Sequence, residues 1–188
     1  MSPPIESKLD SLVKKYRRAF QEKLRGISDS GVFGLPPEET LLMKLFALEP
    51  NIYLMNRQYF NRELGSLFEK MVKALLKTTN SKRYGNAVVV GKTQLCDCTF
   101  GQDAIEVKYR YYSGDAKTVR LYRNAAPKLI SMGLKPVMLI FSTDNLRSAI
   151  KSFIKHGWQV KEGDDMAKYI KQLTGFDIKR YLETKLSL

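Results

Sequence analysis

The sequence predicts an α/β fold, in which a mixed sheet of four or five strands is flanked by helices and preceded by an N-terminal helical region. Residues 88–99 and 104–111 are rich in β-branched and aromatic side chains and lie on either side of Gly101-Gln102, a pair typical of a two-residue hairpin loop. Residues 137–142 form an apolar run of strand length, which indicates a strand covered by helices on both faces. Helical patterns precede, separate and follow these strands.

Three helical patterns come before the hairpin. Residues 5–24 place apolar side chains at the spacing of one helix face. Pro37, followed by two glutamates, predicts the start of a second helix, and residues 51–76 predict a third. We assign residues 1–50 to the N-terminal helical region and residues 51–188 to the core domain.

Further elements follow the hairpin. A helix begins after Asp115, its expected N-cap, and ends at Gly133, and Pro127 should kink or divide it because proline removes a backbone hydrogen bond. The strand at 137–142 comes next. The remaining elements are a helix at 144–156, a short strand at 158–160, and helices at 165–173 and 177–186.

The hairpin brings three ionisable side chains together. If Gly101-Gln102 is the loop, counting back along the strands sets Asp97 opposite Glu106, and alternation puts Lys108 on the same face. Two opposed carboxylates repel each other. A divalent cation would offset this repulsion, because carboxylate oxygens suit Mg²⁺, and the adjacent ammonium could hold a phosphate or a water.

The spacing Asp-x₈-Glu-x-Lys resembles the PD-(D/E)xK core of restriction endonucleases and Holliday-junction resolvases, although Cys96 stands where many members have proline. The resemblance implies that Asp97, Glu106 and Lys108 are catalytic. It also implies that the two acids bind Mg²⁺, for which Mn²⁺ would substitute. Short motifs also arise by chance, and the alternative is a solvated, charged strand face.

In such nucleases the helix before the hairpin often supplies another acid in a pattern like Gly-x-x-x-Glu. Here Gly65 and Glu69 match that pattern, and Glu69 falls on the edge of the apolar stripe of the 51–76 helix. The resemblance therefore implies that Glu69 is a further catalytic residue and metal ligand, directly or through water. The alternative is an ordinary boundary glutamate.

The chain is strongly basic, with 32 Lys and Arg against 19 Asp and Glu and a net charge of +13. A field of this sign attracts polyanions, and nucleic acid is the partner we expect, with solubility alone as the alternative. No apolar run approaches the roughly 18 residues of a membrane span, so we expect no membrane association and a cytoplasmic protein. Glycine-rich phosphate-binding motifs are missing, which argues against a nucleotide cofactor.

Cysteine and histidine are too few for a structural zinc site. Cys96 and Cys98 should point to the same face of one strand, which makes a disulfide between them sterically unfavourable. His156 precedes a glycine at a predicted helix end, where we expect it to act as a cap rather than in catalysis.

Basic side chains cluster around the hairpin. One continues the Glu106–Lys108 face, three recur at intervals of three on the next helix, and two lie in the loop before the hairpin. Interleaved tyrosines would add stacking surface for a nucleic acid. A solvated surface is the alternative interpretation. The candidate DNA contacts are Arg110, Lys117, Arg120, Arg123, Lys82 and Arg83.

The order of elements from residue 65 to 160 is also similar to that of small type II restriction endonucleases. This resemblance implies a restriction-endonuclease-like core and a Mg²⁺-dependent endodeoxyribonuclease that cuts double-stranded DNA at a short, palindromic site. Two alternatives stay open. One is a resolvase-like, structure-selective nuclease, and the other is a non-catalytic nucleic-acid-binding protein on a nuclease-like scaffold.

A homodimer is expected, because one metal site cuts one strand at a time and a two-fold axis would supply the second site. The N-terminal region, residues 1–50, offers candidate interface material, since it contains more apolar residues than one helix face needs, and contact with DNA is the other role left open for it. These residues include Phe33, Leu42, Met43 and Phe46.

Overall fold

A computed structural model describes residues 4–25, 36–111 and 116–186. Within them, a five-stranded mixed sheet has the strand order β1-β4-β5-β6-β7, and β2 pairs with β3 in a separate two-stranded sheet. The first three strands of the large sheet are antiparallel and β5, β6 and β7 are parallel. This confirms the predicted fold class. The strands are β1 (Tyr84–Gly85), β2 (Val88–Val90), β3 (Thr93–Cys96), β4 (Cys98–Phe100), β5 (Asp103–Lys108), β6 (Lys135–Ile140) and β7 (Gln159–Glu162).

Helices cover both faces of the large sheet. Residues from α1 to α4, α7 and α8 share one hydrophobic core with one face of the sheet. A second core, on the other face, contains residues of α5, α6 and β3 together with Trp158. The helices are α1 (Ile5–Arg25), α2 (Leu41–Leu45), α3 (Pro50–Met55), α4 (Arg57–Thr79), α5 (Ala116–Ser131), α6 (Arg147–Lys155), α7 (Gly163–Thr174) and α8 (Ile178–Leu186).

The N-terminal helices pack into the main core. The Phe20 ring of α1 lies 4.7 Å from the Phe46 ring and 5.9 Å from the Phe60 ring of α4. The hydroxyl of Tyr181 in α8 donates to Asp10 Oδ1 in α1 at 2.7 Å. Helix α1 is thus held between α4 and α8, and the boundary at residue 50 stays a prediction.

This packing corrects the expected dimer interface. Leu42, Met43 and Phe46 are buried in the chain's own core, where they contribute to folding rather than to a free apolar surface. Phe33, the other residue expected there, lies outside the described residues.

The β4–β5 hairpin has the predicted register. Phe100 pairs with Asp103, and Cys98 pairs with Ile105. Gly101 has φ 63°, and Gln102 is not among the residues with positive φ, as expected for a type II′ turn. The two-residue loop was therefore correctly located from the Gly-Gln pair.

The segment 88–99 is not the single strand that its composition predicts. It turns back at Gly91, where φ is 60°, to form the β2–β3 hairpin, and it is interrupted again at Asp97. Gly91-Lys92 has the same Gly-X form as the loop at 101–102, so the signal for this first turn was present in the sequence.

The helices follow the sequence patterns closely, with shifts at their ends. Helix α2 begins at Leu41 rather than at Pro37, because the Thr40 hydroxyl caps it by accepting from the Met43 amide at 3.3 Å. Helices α3 and α4 are separated at Asn56. His156 is the C-cap of α6, as predicted.

Pro127 does not divide α5, which runs unbroken from Ala116 to Ser131. The proline is exposed to solvent, so water can hydrogen-bond to the carbonyl that its missing N–H leaves without a helical partner. Asp115, the expected N-cap of this helix, lies outside the described residues.

We expect Gly101→Ala to destabilise the protein by about 1 kcal/mol, because alanine is strained at positive φ. The added Cβ would also come within 3.0 Å of the Arg83 guanidinium. Gln102→Ala, at the next position of the loop, is the control and should change stability by less than about 0.5 kcal/mol. Urea unfolding of the two variants measures the difference, and equal stabilities would contradict the type II′ turn.

Candidate active site

Asp97 occupies a one-residue break between β3 and β4, where the ladder with β5 shifts. Its backbone N–H donates to the Ile105 carbonyl at 2.9 Å, and its carboxylate Oδ2 accepts from the Val107 N–H at 2.8 Å. The side chain thus takes the place of a backbone acceptor at this point of the sheet. The predicted pairing of Asp97 with Glu106 is therefore wrong, since the ladder pairs end at Cys98–Ile105.

The Asp97 carboxylate is almost buried, at 7% exposure. Its other oxygen, Oδ1, accepts from the Gln94 side-chain amide of β3 at 2.9 Å. Two donors on separate strands therefore fix the carboxylate, which lies at the point where β3 separates from the large sheet.

Glu106 and Lys108 lie two residues apart on β5 and form an ion pair. Lys108 Nζ is 2.7 Å from Glu106 Oε1, and the same oxygen accepts from the Tyr122 hydroxyl of α5 at 2.8 Å. Glu106 is 4% exposed, whereas the Lys108 side chain is 30% exposed. The Lys108 ammonium therefore lies between the buried Glu106 carboxylate and solvent.

Tyr122 is itself held rigidly. Its ring makes edge contacts with Phe153 at 5.5 Å and with Trp158 at 6.1 Å, and its carbonyl accepts from the Trp158 indole N–H at 2.8 Å. The Lys108 ammonium lies 5.4 Å from the ring centroid, within cation–π distance. Helix α5 thus fixes the orientation of the Glu106–Lys108 pair from the second core.

The surroundings of Glu106 change its ionisation. Burial raises the pKa of Glu106 to about 7, with Lys108 lowering it and the Asp97 charge raising it. Burial by itself would lower the pKa of Lys108, but the Glu106 carboxylate raises it above its ordinary value overall. Lys108 is therefore a permanent cation at neutral pH.

The cysteines on either side of Asp97 are free thiols, as expected, and both are buried. Burial raises the pKa of Cys98 to about 12 and also raises that of Cys96. Neither thiol ionises near neutral pH, so they act as small core residues beside the carboxylate.

Glu69 of α4 is not gathered with the other two acids. Its Oε1 lies 2.5 Å from Lys73 Nζ, one turn further along the helix. In residues 4–25, 36–111 and 116–186, no three Asp, Glu, His or Cys side chains are close enough to share a metal ion. The role of Glu69 as a metal ligand therefore stays a prediction, and in this structure its carboxylate pairs with Lys73.

The chain was compared with known proteins. Residues 1–187 match the model of the ApaLI-like restriction endonuclease family. The chain belongs to this family. No curated protein and no solved structure showed significant similarity to it. Family membership confirms the expectation of a restriction endonuclease, an endodeoxyribonuclease acting on double-stranded DNA.

The structure of this restriction endonuclease separates the candidate DNA contacts into two groups. Arg110 is buried, and its Nε lies 2.8 Å from Asp144 Oδ1. Its guanidinium also donates to the Glu38 carbonyl at 2.5 Å, so it joins the N-terminal region to the segment after β6. Because it is buried and paired with Asp144, Arg110 has a structural role in this chain, and its contact with DNA stays a prediction.

The other candidates are exposed. Lys117 and Arg120 line a groove of about 540 Å³ between β3 and α5, together with Lys128. Arg123 donates to His156 Nε2 at 3.2 Å, and Arg83 stacks over the Phe100 ring at 4.5 Å. Lys82 is exposed in the turn before β1. Their contact with DNA remains a prediction.

No helix in the described ranges is both long and apolar enough to span a bilayer. The expected absence of membrane association remains a prediction.

Two residues of the restriction enzyme's site were missed from sequence. Tyr122 was grouped with tyrosines that would stack on nucleic acid, although Tyr122, Ala125, Ala126 and Leu129 follow the spacing of a core-facing stripe. That periodicity was sufficient to place the tyrosine on the sheet. Gln94 gave no such signal, because its contact with Asp97 depends on the unexpected β2–β3 turn.

We expect a pH dependence of stability from Glu106. Its pKa in the folded state is about 7, above the ordinary 4.5, so the folded protein binds this proton more tightly than the unfolded chain. The resulting stabilisation is fully present below about pH 4.5 and is lost as the pH rises through 7. Urea unfolding in EDTA measures this loss. As the pH rises between these limits, the free energy of unfolding of Glu106→Gln should increase by on the order of 3 kcal/mol relative to that of wild type.

Asp177→Asn is the control for this measurement. The backbone N–H of Arg180, with Lys171, lowers the pKa of Asp177 below 3.8. The contribution of Asp177 to the free energy of unfolding therefore changes only in stronger acid. The difference between Asp177→Asn and wild type should be flat from pH 4.5 to pH 8. A flat difference for Glu106→Gln as well would mean that the Glu106 carboxyl is not perturbed by burial.

Proposed function

We propose that the protein is a Mg²⁺-dependent type II restriction endonuclease with a PD-(D/E)xK site, which hydrolyses phosphodiester bonds of double-stranded DNA at a short palindromic sequence. The observation that carries the proposal is the meeting of Asp97, Glu106 and Lys108 at the point where β3 separates from the sheet. Two nearly buried carboxylates beside a partly exposed ammonium provide both a cation site and a phosphate contact.

The donor atoms fit a hard divalent cation. In the described part of the chain, Glu106 Oε1 is occupied by Lys108 and Tyr122, and Oε2 makes no hydrogen bond. Each Asp97 oxygen accepts one hydrogen bond and retains further acceptor capacity. Mg²⁺ commonly binds one or two carboxylates and completes its octahedron with water and phosphate oxygens, and Mn²⁺ accepts the same ligands. When bound, such an ion neutralises phosphate charge and acidifies water.

The proposal assigns separate roles to the protein side chains. Asp97 and Glu106 hold the cation, and Lys108 donates hydrogen bonds to the attacking water or to the phosphate as negative charge develops on it. Because Glu106 raises the pKa of Lys108, the ammonium acts as a donor and a positive charge rather than as a general base. Its 30% exposure allows Nζ to reach a phosphate on the surface.

Glu69 has an indirect role in this proposal. Its carboxylate holds the Lys73 ammonium, and the charges of Glu69 and Asp97 both raise the pKa of Lys73 against the effect of burial. Lys73 therefore remains positive near Asp97. Glu69 would act on the site through this lysine or through water.

A homodimer would provide the second catalytic site for cutting both strands at a symmetric sequence. Because Leu42, Met43 and Phe46 are buried within one chain, the interface must use other surfaces. Light scattering with and without duplex DNA measures the assembly directly.

The proposed activity is tested by incubating the purified protein with plasmid and genomic DNA in Mg²⁺, in Mn²⁺ and in EDTA. Discrete fragments in the first two conditions and intact DNA in EDTA are the expected result. Cleavage in EDTA, cleavage confined to branched DNA, or intact DNA under all conditions would overturn the proposal.

Lys108→Ala should reduce the rate of cleavage by on the order of 10²–10³-fold, because the charge that stabilises the phosphate is removed. Binding of DNA should persist, since one contact among several is lost. Lys135→Ala, at the exposed start of β6, is the control and should cut at the wild-type rate. A normal rate for Lys108→Ala would show that the Asp-Glu-Lys motif is not the catalytic centre.

Tyr122→Phe should weaken divalent-metal binding and slow cleavage by about tenfold, because the hydroxyl that orients Glu106 is lost while the ring remains. Tyr169→Phe is a matched control: Tyr169 donates to Asp103 Oδ2 at 2.9 Å, at the far end of the same strand. Calorimetry with Mn²⁺ measures binding independently of cleavage. Equal metal affinities for the two variants would restrict Tyr122 to a packing role.

A further inference from the structure

A second basic surface lies on the opposite face of the sheet from α5, in the groove between α1 and α4. The groove has a volume of about 530 Å³ and is lined by four lysines, two serines, Leu12 and Ala74, with no acidic residue in its lining. We refer to it as the α1–α4 groove. Its polar lining residues are Lys8, Lys15, Lys70, Lys73, Ser7 and Ser11.

Three of the four lysines of the α1–α4 groove are not neutralised by a carboxylate, whereas Lys73 pairs with Glu69. Lys70 Nζ donates to the Tyr16 hydroxyl at 2.7 Å, and Lys8 Nζ donates to Thr78 Oγ1 at 3.2 Å. Among the described residues, Lys8, Lys15 and Lys70 form no ion pair with a carboxylate. Neutral hydroxyl partners therefore orient two ammonium groups while leaving their full charge available to an anion.

The groove adjoins the candidate active site. Lys73 belongs to both, because it lines the groove and pairs with Glu69 while the Asp97 charge acts on it. Helix α4 packs directly against β5, the strand that carries Glu106 and Lys108. Lysine side chains thus extend from the neighbourhood of Asp97 across α4 to α1, with Glu69 paired to the one nearest Asp97.

We propose that the α1–α4 groove binds the phosphate backbone of the duplex that is cut at the site. The inference rests on the proposed action on DNA and extends it to a surface outside the catalytic residues. A lysine ammonium is a compact point charge that suits a phosphate oxygen, and duplex DNA offers one phosphate charge per about 1.7 Å of its axis. The groove between β3 and α5 would contact the same duplex from the other face of the sheet.

An anionic membrane is a weaker candidate for this surface. A helix that binds a bilayer buries its apolar face among the lipids. The apolar residues of α1, which include Leu9, Val13 and Phe20, are already buried against the core. At the groove, α1 adds only the half-buried Leu12 to its lysines and serines, which is too small an apolar surface to insert into a bilayer.

The test compares two triple variants that remove the same charge. The groove variant is Lys8→Gln, Lys15→Gln, Lys70→Gln, and the control is Lys135→Gln, Lys151→Gln, Lys155→Gln, whose lysines are exposed on β6 and α6. Affinity for a duplex is measured by fluorescence anisotropy in EDTA over a range of salt concentrations, so that binding is separated from cleavage.

The groove variant should bind about 10²-fold more weakly at 0.1 M salt, and its slope of log affinity against log salt should be less steep by about two to three. The control should change the affinity by no more than about threefold. Lys15→Gln alone should reduce the slope by about one, and it removes no hydrogen bond within the described residues. Circular dichroism melting checks that all variants fold, and glutamine suits exposed helix positions.

Equal affinities and slopes for the two triple variants would overturn the inference. So would unchanged DNA binding by the groove variant combined with a loss of binding to phosphatidylserine vesicles, which would reassign the surface to a membrane. Both outcomes are independent of catalysis. Wild-type protein that binds DNA through the groove but cuts nothing in Mg²⁺ or Mn²⁺ would instead refute the proposed function and leave the groove as a DNA-binding surface.

Discussion

The hydrogen bond from the Val107 amide to the Asp97 carboxylate determines the layout of this site. A buried backbone N–H must find an acceptor, and here a side chain supplies it where β3 leaves the large sheet. The Val107 amide therefore has a hydrogen-bond acceptor although the ladder is broken at this point. The sheet opens beside Glu106 without leaving that amide unpaired. The carboxylate that completes the backbone hydrogen bonding is the same one that the proposed chemistry uses, which joins local stability to function at a single residue.

Charge inside this small region is balanced by neighbours from both cores. Lys108 compensates Glu106 and Tyr122 donates to it, while Lys73 and Gln94 lie on the side of Asp97. Burying two carboxylates without such partners would cost several kcal/mol. The helices on the two faces thus do more than cover the sheet: α4 supplies a cation to one acid, and α5 supplies a hydroxyl to the other. The basic surfaces of the molecule lie over these same two helices.

Local sequence signals predicted much of this structure. The Gly-Gln loop, the apolar strand β6 and the periodic stripes of α1 and α4 each depend on short-range rules, and all were placed correctly. The failures have two causes. The buried ion pair of Arg110 with Asp144 and the contact of Gln94 with Asp97 depend on which elements meet in three dimensions. The turn at Gly91 and the pairing of Glu69 with Lys73 one helical turn away follow local signals that were present in the sequence but overlooked. Spacing along the chain identified the three residues at the hairpin, but not the partners that hold them.

The contact between α1 and α8 has a consequence for biosynthesis. Tyr181 and Leu182 enter the same core as Leu9 and Phe20, and Tyr181 bonds to Asp10 across 171 positions of sequence. Because such long-range contacts form late, a nascent chain on the ribosome lacks one wall of its core until α8 has emerged. The part of the sheet that carries the acids is then supported by an incomplete layer of helices. An enzyme that attacks DNA is in this way kept from reaching its working form before α8 has been synthesised.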